Sequence, residues 1–263
     1  MNTVPELLIS GLTDVGRMRD HNEDNIAWDT ELGLALLADG MGGHNAGEVA
    51  SAIAVDIIRN TIAESLRSLA DDEGGDDPNQ SKEAAYGFSA VVHEAISAAN
   101  RAILSHAEGQ PQCAGMGTTV VMVLFQGPTL TLAHVGDSRI YRLRGPDFRQ
   151  MTTDHSLVQE LVENGFLTHE EARASANKNL ITRALGIDSA VQADVLSETY
   201  EPGDLFLLCS DGLSDLVADE EIHTLLNVHA GEDQLDDAAS ALVDMANERG
   251  GMDNISVILI RVK

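Results

Sequence analysis

The sequence predicts an α+β fold in which sheets and helices form layers, and three observations lead there. Apolar, strand-like runs succeed one another across turns of a few residues, which requires antiparallel pairing, because a parallel crossover takes about a dozen residues or more. Two long stretches carry apolar residues at helical rather than alternating spacing. Finally, three of the strand-like runs stop on an aspartate beside a glycine, and a fourth begins just after one, so carboxylates gather at strand ends.

The elements follow in chain order. Leu34 to Leu37 runs into Asp39-Gly40 as a short buried strand. After the Gly-rich turn, Val49, Ile53, Ile57, Ile58 and Leu66 recur on one helical face. A second helix carries Phe88, Val91, Val92, Ile96, Ile103 and Leu104, and the two form an antiparallel pair. Between them Asp71 to Gln80, acidic and containing Gly, Pro and Asn, reads as an exposed loop. Strands are then expected at Thr118 to Phe125, Leu130 to Val135 (into Gly136-Asp137) and Arg139 to Arg144, up to the turn Gly145-Pro146-Asp147. From His155 to Ala176 the texture changes to short helical pieces, with Thr168 and Glu171 spaced as a capping box; this reads as an inserted flap. Strands return at Val191 to Tyr200 and at Leu205 to Cys209, the latter leading into Asp211-Gly212. A helix covers Asp233 to Glu248, and Ile255 to Val262, preceded by Asp253, closes the fold.

Bulk properties narrow the function. A chain of 263 residues suits one large domain, assigned here to residues 6–263 with the flap at 155–176 inside it. Sixteen basic against 43 acidic side chains give a net charge of −27, which opposes nucleic acid and anionic membranes and favours cations. Cys113 and Cys209 are too few for a disulfide framework and read as buried free thiols, which fits a cytoplasmic protein. No stretch approaches the roughly 18 apolar residues of a membrane span, no secretion signal opens the chain, and no fixed-period repeat is present.

Any single Asp-Gly pair could be a turn, since Asp bonds its own backbone and Gly accepts positive φ. Four strand-end acids together favour a shared site for hard cations such as Mg²⁺ or Mn²⁺, which take oxygen ligands and keep several waters. The segment Asp39-Gly-Met-Gly-Gly-His-Asn-Ala-Gly-Glu48 follows a strand and opens a helix, as phosphate loops do. It lacks Gly-Lys-Ser/Thr, however, and the dinucleotide spacing is broken. The run Arg19-Asp20-His21-Asn22-Glu23-Asp24 supplies a guanidinium able to grip phosphate oxygens in a fork; read alone, it is a surface ion-pair cluster.

Taken in order, Arg19-x-x-Asn22-Glu23-Asp24, Asp39-Gly40-Met-Gly-Gly, Gly117-Thr118-Thr119, Val135-Gly136-Asp137-Ser138-Arg139, Ser210-Asp211-Gly212-Leu213 and Asp253-Asn254-Ile255-Ser256 closely resemble the metal-dependent protein phosphatases of the 2C type, in their compact bacterial form. The resemblance spans Leu8 to Val262. It implies a four-layer αββα sandwich, two antiparallel sheets flanked by antiparallel helix pairs, and a centre of two Mn²⁺ or Mg²⁺ ions with a weaker third. Asp39 would bridge the two ions, with the Gly40 carbonyl and a water held by Glu23 serving one, and Asp211 and Asp253 the other. Asp24 and Asn254 would support them, and Asp137 with Asp211 would hold the third. Arg19 would clamp the substrate phosphate, so the catalytic set is Arg19, Glu23, Asp39 and Asp211. The implied activity is serine/threonine phosphoprotein hydrolysis in signalling, with phosphorylated proteins as partners, an opposing serine/threonine kinase, and a monomeric enzyme.

One position departs from the pattern. Eukaryotic members carry histidine directly after the metal-site Asp-Gly, as proposed general acid; here it is Met41, and the acid is unassigned, with His44 a substitute candidate that reads as structural. His155 is read as structural or substrate-adjacent. Two rival functions are weighed. A catalytically inactive phosphatase-like binding module would have lost acids that this chain keeps. A phosphotransferase with an aspartyl nucleophile would show Asp-x-Asp after a parallel strand, and none is present.

Overall fold

Alternation along the strands sorts the apolar side chains into three layers, and these layers set the architecture. The computed structural model describes residues 4–42, 46–72, 80–173, 175–229 and 234–263. Eleven strands are described: β1 (Leu7–Asp14), β2 (Asp24–Asp29), β3 (Leu34–Met41), β4 (Gly117–Thr118), β5 (Val120–Gln126), β6 (Thr129–Val135), β7 (Arg139–Arg144), β8 (Asp147–Gln150), β9 (Asp194–Thr199), β10 (Leu205–Cys209) and β11 (Ile255–Val262). They form two sheets, ordered β1-β11-β10-β7-β8 and β2-β3-β5-β6-β9, with β4 paired to β3. Every pairing is antiparallel, as the short turns require.

On β3, Leu34, Leu36 and Ala38 face outward to helices α1 (Ala46–Asp72) and α2 (Gln80–Gly109), where Ala50, Ala54, Ile58, Ile62, Val92, Ile96 and Ile103 meet them. The alternate residues Ala35 and Leu37 turn inward and pack with Val121, Val123 and Phe125 of β5 against Phe206, Leu208, Ile258 and Ile260 of the other sheet. On that second sheet Leu205, Leu207, Val257 and Leu259 face α6 (Asp219–His229) and α7 (Leu235–Glu248). The order is helix, sheet, sheet, helix, and period-two alternation is its cause. Full burial of a side chain such as Ile58 or Leu207 is worth about 1.5–3 kcal/mol.

Register brings the acids together. Asp24 at the start of β2 lies opposite Asp39 near the end of β3. The ends of β3 and β6 both meet the start of β5 (Leu37↔Val121, Val135↔Val120), and the end of β10 meets the start of β11 (Cys209↔Val257). Asp39, Asp137, Asp211 and Asp253 therefore share one end of the sandwich.

Several boundaries differ from the sequence reading. β3 continues through Asp39-Gly40 to Met41 because β4 pairs with it there, so Asp39 lies inside a strand. The expected strand from Thr118 to Phe125 breaks at Thr119, whose amide is drawn aside to the Asp39 carbonyl (2.9 Å). The Asp71 to Gln80 loop is shorter than expected, since α1 reaches Asp72 and α2 starts at Gln80; residues 73–79 lie outside the described residues. The strand at Val191 to Tyr200 shrinks to Asp194–Thr199, the span that pairs with β6. In the flap, α3 (Leu157–Glu163) and α4 (His169–Arg173) are described, and Thr168 and Glu171 make the reciprocal bonds of a capping box. α5 (Asp211–Ser214) and α6 were not foreseen. Among the described residues, no helix is long and apolar enough to cross a membrane.

Candidate metal centre

The acid end is assembled by close backbone contact and neutral donors. A Cβ on Gly40 would meet the Gly47 carbonyl oxygen at 2.2 Å and the Glu23 carbonyl oxygen at 2.6 Å, so only glycine lets β3 approach the start of α1. The Gly40 amide donates to the Glu23 carbonyl (3.1 Å), and the Ser51 hydroxyl donates to the same oxygen (2.6 Å). Thr119 clasps Asp39 from the other side: its hydroxyl accepts from the Asp39 amide (3.2 Å) and its amide donates to the Asp39 carbonyl. The two sheets are tied by Ser210, which donates to Asp24 Oδ2 (2.9 Å) and accepts from the Ser256 amide (3.0 Å).

Asn254 organises the loop that carries Arg19. Its Nδ2 donates to the carbonyls of Val15 (3.0 Å) and His21 (2.9 Å), its Oδ1 accepts from the Glu23 amide (2.8 Å), and its own amide donates to Asp253 Oδ1 (2.8 Å). A Cβ on Gly212 would sit 1.9 Å from the Asn254 carbonyl oxygen, so this hub also needs glycine beside it. Arg19 Nη2 donates to Asp253 Oδ2 at 2.6 Å. The ion pair read from the Arg19 run thus exists, and its partner is an acid of the cluster.

Electrostatics shows what the end lacks. Desolvation and mutual repulsion hold Asp39 and Asp211 well above the ordinary carboxylate range, with Asp24, Asp137 and Asp253 among the repelling charges. Burial lifts Asp24 to about 6 against the counter-effect of the Ser256 and Ser210 hydroxyls. Burial and then Asp154 lift Asp137 to about 7. Glu23 is raised too, mainly by desolvation, with Arg19 opposing. At this end, the buried Asp24 Oδ1 has no hydrogen-bond partner among the described residues. An all-oxygen donor set that repels itself and leaves a buried oxygen unpaired fits hard divalent cations.

Of the predicted residues, Glu23, Asp24, Gly40, Asp39, Asp137, Asp211, Asp253, Asn254 and Arg19 all come to this end. His44 lies outside the described residues. Met41 lies against Gly117, where a Cβ would meet its terminal methyl at 2.8 Å. Ser51, Thr119, Ser210 and Asp215 had no assigned role. Asp215 follows Asp211 by one helical turn, a spacing that places both on one face, and it adds to the repulsion on Asp211 and Asp137. From Asp137 and Asp211 a cleft of about 570 Å³ runs under the flap, past Gln159, His169 and Lys178.

A second cluster stands apart. His134, His155 and Asp194 offer ligand atoms within 4.8 Å of one another. The two rings stack at 22°, however, so their in-plane lone pairs do not converge, and Arg183 Nη1 lies 3.1 Å from His155 Nε2 and 3.0 Å from Asp194 Oδ1. A protein cation already fills the place of a metal.

Comparison with known proteins agrees with this geometry. A family profile described as Protein phosphatase 2C matches residues 17–255. The chain is 36% identical over 251 residues to a serine/threonine phosphatase, stp, of Listeria innocua serovar 6a, covering 94% of this chain and 93% of that protein. It is 40% identical over 250 residues to the serine/threonine protein phosphatase PstP of Mycobacterium tuberculosis, covering 95% of this chain and 44% of that one. The crystal structure of the M. tuberculosis phosphatase PstP/Ppp superposes with a TM-score of 0.83 at 37% identity, covering 98% and 99% of the two chains. A PstP catalytic domain in complex with two manganese ions gives 0.79 at 38% identity, covering 97% and 98%.

Proposed function

The chain belongs to the protein phosphatase 2C family, and from that premise we propose how its residues serve the family's chemistry. It is a metal-dependent serine/threonine phosphoprotein phosphatase that acts on phosphorylated proteins and uses Mn²⁺ or Mg²⁺. The observation that carries the residue assignment is the convergence of Asp24, Asp39, Asp137 and Asp211 with pKa values pushed up by burial and then by neighbouring acids, a cost that bound cations would reverse.

Asp39, the Gly40 carbonyl, Glu23, Asp211 and Asp253 would hold two ions, and Asp137 with Asp211 a weaker third. Such ions, when bound, supply a hydroxide at neutral pH and neutralise charge on the transferring phosphoryl group. The chain's own groups do the positioning. Arg19, on the loop fixed by Asn254, offers a fork to the non-bridging phosphate oxygens and orients phosphorus for in-line attack. The Ser210 hydroxyl donates to Asp24 and the Asn254 carboxamide oxygen accepts from the Glu23 amide; both partners are neutral, which leaves the negative charge available to cations. Nothing supports the inactive binding-module alternative, since the relatives that the chain matches are serine/threonine phosphatases.

Further expectations belong to the same reading: a single domain at residues 6–263 with a flap at 155–176, a monomeric enzyme in the cytoplasm, and an opposing serine/threonine kinase. The buried free thiols of Cys113 and Cys209 support the reducing compartment. The test is hydrolysis of p-nitrophenyl phosphate and a phosphothreonine peptide with Mn²⁺, Mg²⁺, Ca²⁺ or EDTA. Activity that vanishes on chelation and returns with Mn²⁺ is expected; full activity in EDTA after exhaustive dialysis refutes the assignment.

A further inference from the structure

We propose that His155 is a positioning residue that fixes the Gly136 hinge and thereby aims Asp137 into the acid cluster. The inference rests on the reading of Asp137 as an ion-binding acid.

Gly136 is where β6 gives way to Asp137, and its backbone is unusual. Its φ is +107°, and a Cβ there would meet Thr119 side-chain atoms at 2.6 Å, so the position admits only glycine. Glycine is also the residue with the most freedom to lose. A carboxylate carried on such a joint wanders unless something holds the joint.

His155 holds it at both polar ends. The Gly136 amide donates to His155 Nδ1 (3.1 Å), and the His155 amide donates to the Gly136 carbonyl (2.9 Å). Nδ1 accepts from the Gly136 amide, while Nε2 on the far edge of the ring faces Asp194 Oδ2 at 3.4 Å and Arg183 Nη1 at 3.1 Å. Arg183 Nη1 also donates to Asp194 Oδ1 (3.0 Å), so a carboxylate–guanidinium pair braces that edge of the ring. His134 stacks on the ring with centroids 4.5 Å apart and is itself tied to the Thr153 carbonyl (2.8 Å). Burial, His134 and Arg183 press the His155 pKa down to about 4, which keeps Nδ1 free to accept.

The neighbouring residues repeat the clamp. Asp154 accepts a fork from Arg139, two residues after Asp137, at 3.0 and 2.7 Å. The pairs His155–Gly136 and Asp154–Arg139 therefore grip the backbone on both sides of Asp137. The flap starts from the same dipeptide: the Thr182 amide donates to the His155 carbonyl (2.8 Å), and Ser156 bridges to Ile181. One histidine joins the flap base to an acid of the cluster.

Two variants separate positioning from packing. His155→Phe keeps a ring against His134 but removes the acceptor; His155→Asn places an oxygen where Nδ1 stood and gives up the ring. In the EDTA-treated protein, amide exchange of Gly136 followed by NMR should be at least tenfold faster in His155→Phe and near wild type in His155→Asn. Calorimetric titration with MnCl₂ should show the weakest binding step lost or weakened at least tenfold in His155→Phe and largely kept in His155→Asn. Wild-type Mn²⁺ binding in His155→Phe, where Asp137→Ala loses the weakest step, overturns the proposal alone. Wild-type binding in Asp137→Ala overturns the reading of Asp137 on which it rests. Equal loss in both histidine variants, together with a fall in Tm, makes His155 a packing residue and also overturns it.

Discussion

Removing the metal should invert part of the protein's pH dependence, and the structure gives the size of the effect. Asp137 rises from 3.8 to about 7 and Asp24 from 3.8 to about 6 in the folded chain. A carboxyl whose folded pKa lies above its unfolded one holds its proton more tightly when folded, so the chelated protein loses stability as pH rises from about 4 to about 7. Each tenfold change in proton affinity is worth about 1.4 kcal/mol, so Asp137 alone costs about 4 kcal/mol by pH 8 and Asp24 about 3. His155 acts oppositely: with its folded pKa at about 4, below the unfolded 6.5, its contribution is lost as pH falls through that window. That histidine contribution is shared by chelated and loaded protein and cancels in their difference. Below pH 6, Mn²⁺ must expel at least the two protons of Asp137 and Asp24, so its apparent affinity should rise about a hundredfold or more between pH 5 and 6, adding about 3 kcal/mol of stabilisation or more. For a chain of this size that is about 6–12 °C in Tm. Differential scanning fluorimetry at pH 5, 6, 7 and 8, with EDTA or with excess MnCl₂, reads the increment directly. An increment that stays flat or shrinks from pH 5 to 7 refutes the picture of proton-holding acids that cations discharge.

Arg19→Ala should lower kcat/KM by about 2–4 kcal/mol through loss of a charge-assisted phosphate contact, with Mn²⁺ content by atomic absorption unchanged; metal loss in that variant would show that the 2.6 Å pair with Asp253 is the residue's real task. Asp39→Ala should reduce turnover by several orders of magnitude, and a loss under tenfold on p-nitrophenyl phosphate rejects its central place. Gly212→Ala forces a Cβ to within 1.9 Å of the Asn254 carbonyl, so a loss of about 3 kcal/mol in urea unfolding is expected together with weaker Mn²⁺ binding. Arg144→Ala strips the bidentate partner (2.7 and 2.6 Å) from Asp204, which is 1% exposed; about 3–5 kcal/mol of stability should go while Mn²⁺ affinity stays, and coupled losses would tie this remote pair to the site.

What was legible in the sequence followed from short-range chemistry. Asp137 and Asp211 announced themselves because strands β6 and β10 end where an acid and a glycine meet, and α1 and α2 because a 3.6 period survives over many turns. Asp39 was found for a partly mistaken reason: it lies within a strand, and its closeness to Asp24 comes from the β2–β3 register, which no local pattern states. α6 escaped notice although Asp219, Glu220 and Glu221 fill its first turn and Ile222, Leu225 and Leu226 fall on one face. β8 is four residues of hairpin beyond the Gly145-Pro146 turn, too short for alternation to register. The role of His155 was beyond reach for another reason: its partners Gly136, Asp194 and Arg183 are 19, 39 and 28 residues away, and the meeting exists only once the flap base has paired.

The manner in which the acids are held bears on why they bind cations at all. A protein can steady a buried carboxylate with arginine or lysine, which neutralises it, or with hydroxyls and amides, which do not. Here Asp24 takes its hydrogen bond from Ser210, and the backbone of Asp39 and Glu23 is held by Thr119, Ser51 and Asn254, all neutral. Arg19 reaches the cluster only at its rim, about half exposed, and Arg139 is turned to Asp154. Geometry is thus fixed while charge is left uncompensated, and a surrounding chain of net charge −27 offers no distant relief. Replacing Ser210 with alanine would take from Asp24 its neutral donor and leave the Ser256 amide unpaired; the same argument requires that such a protein be less stable than the native chain in EDTA, by more at pH 8, where Asp24 is charged, than at pH 5, and an equal loss at both pH values would count against it.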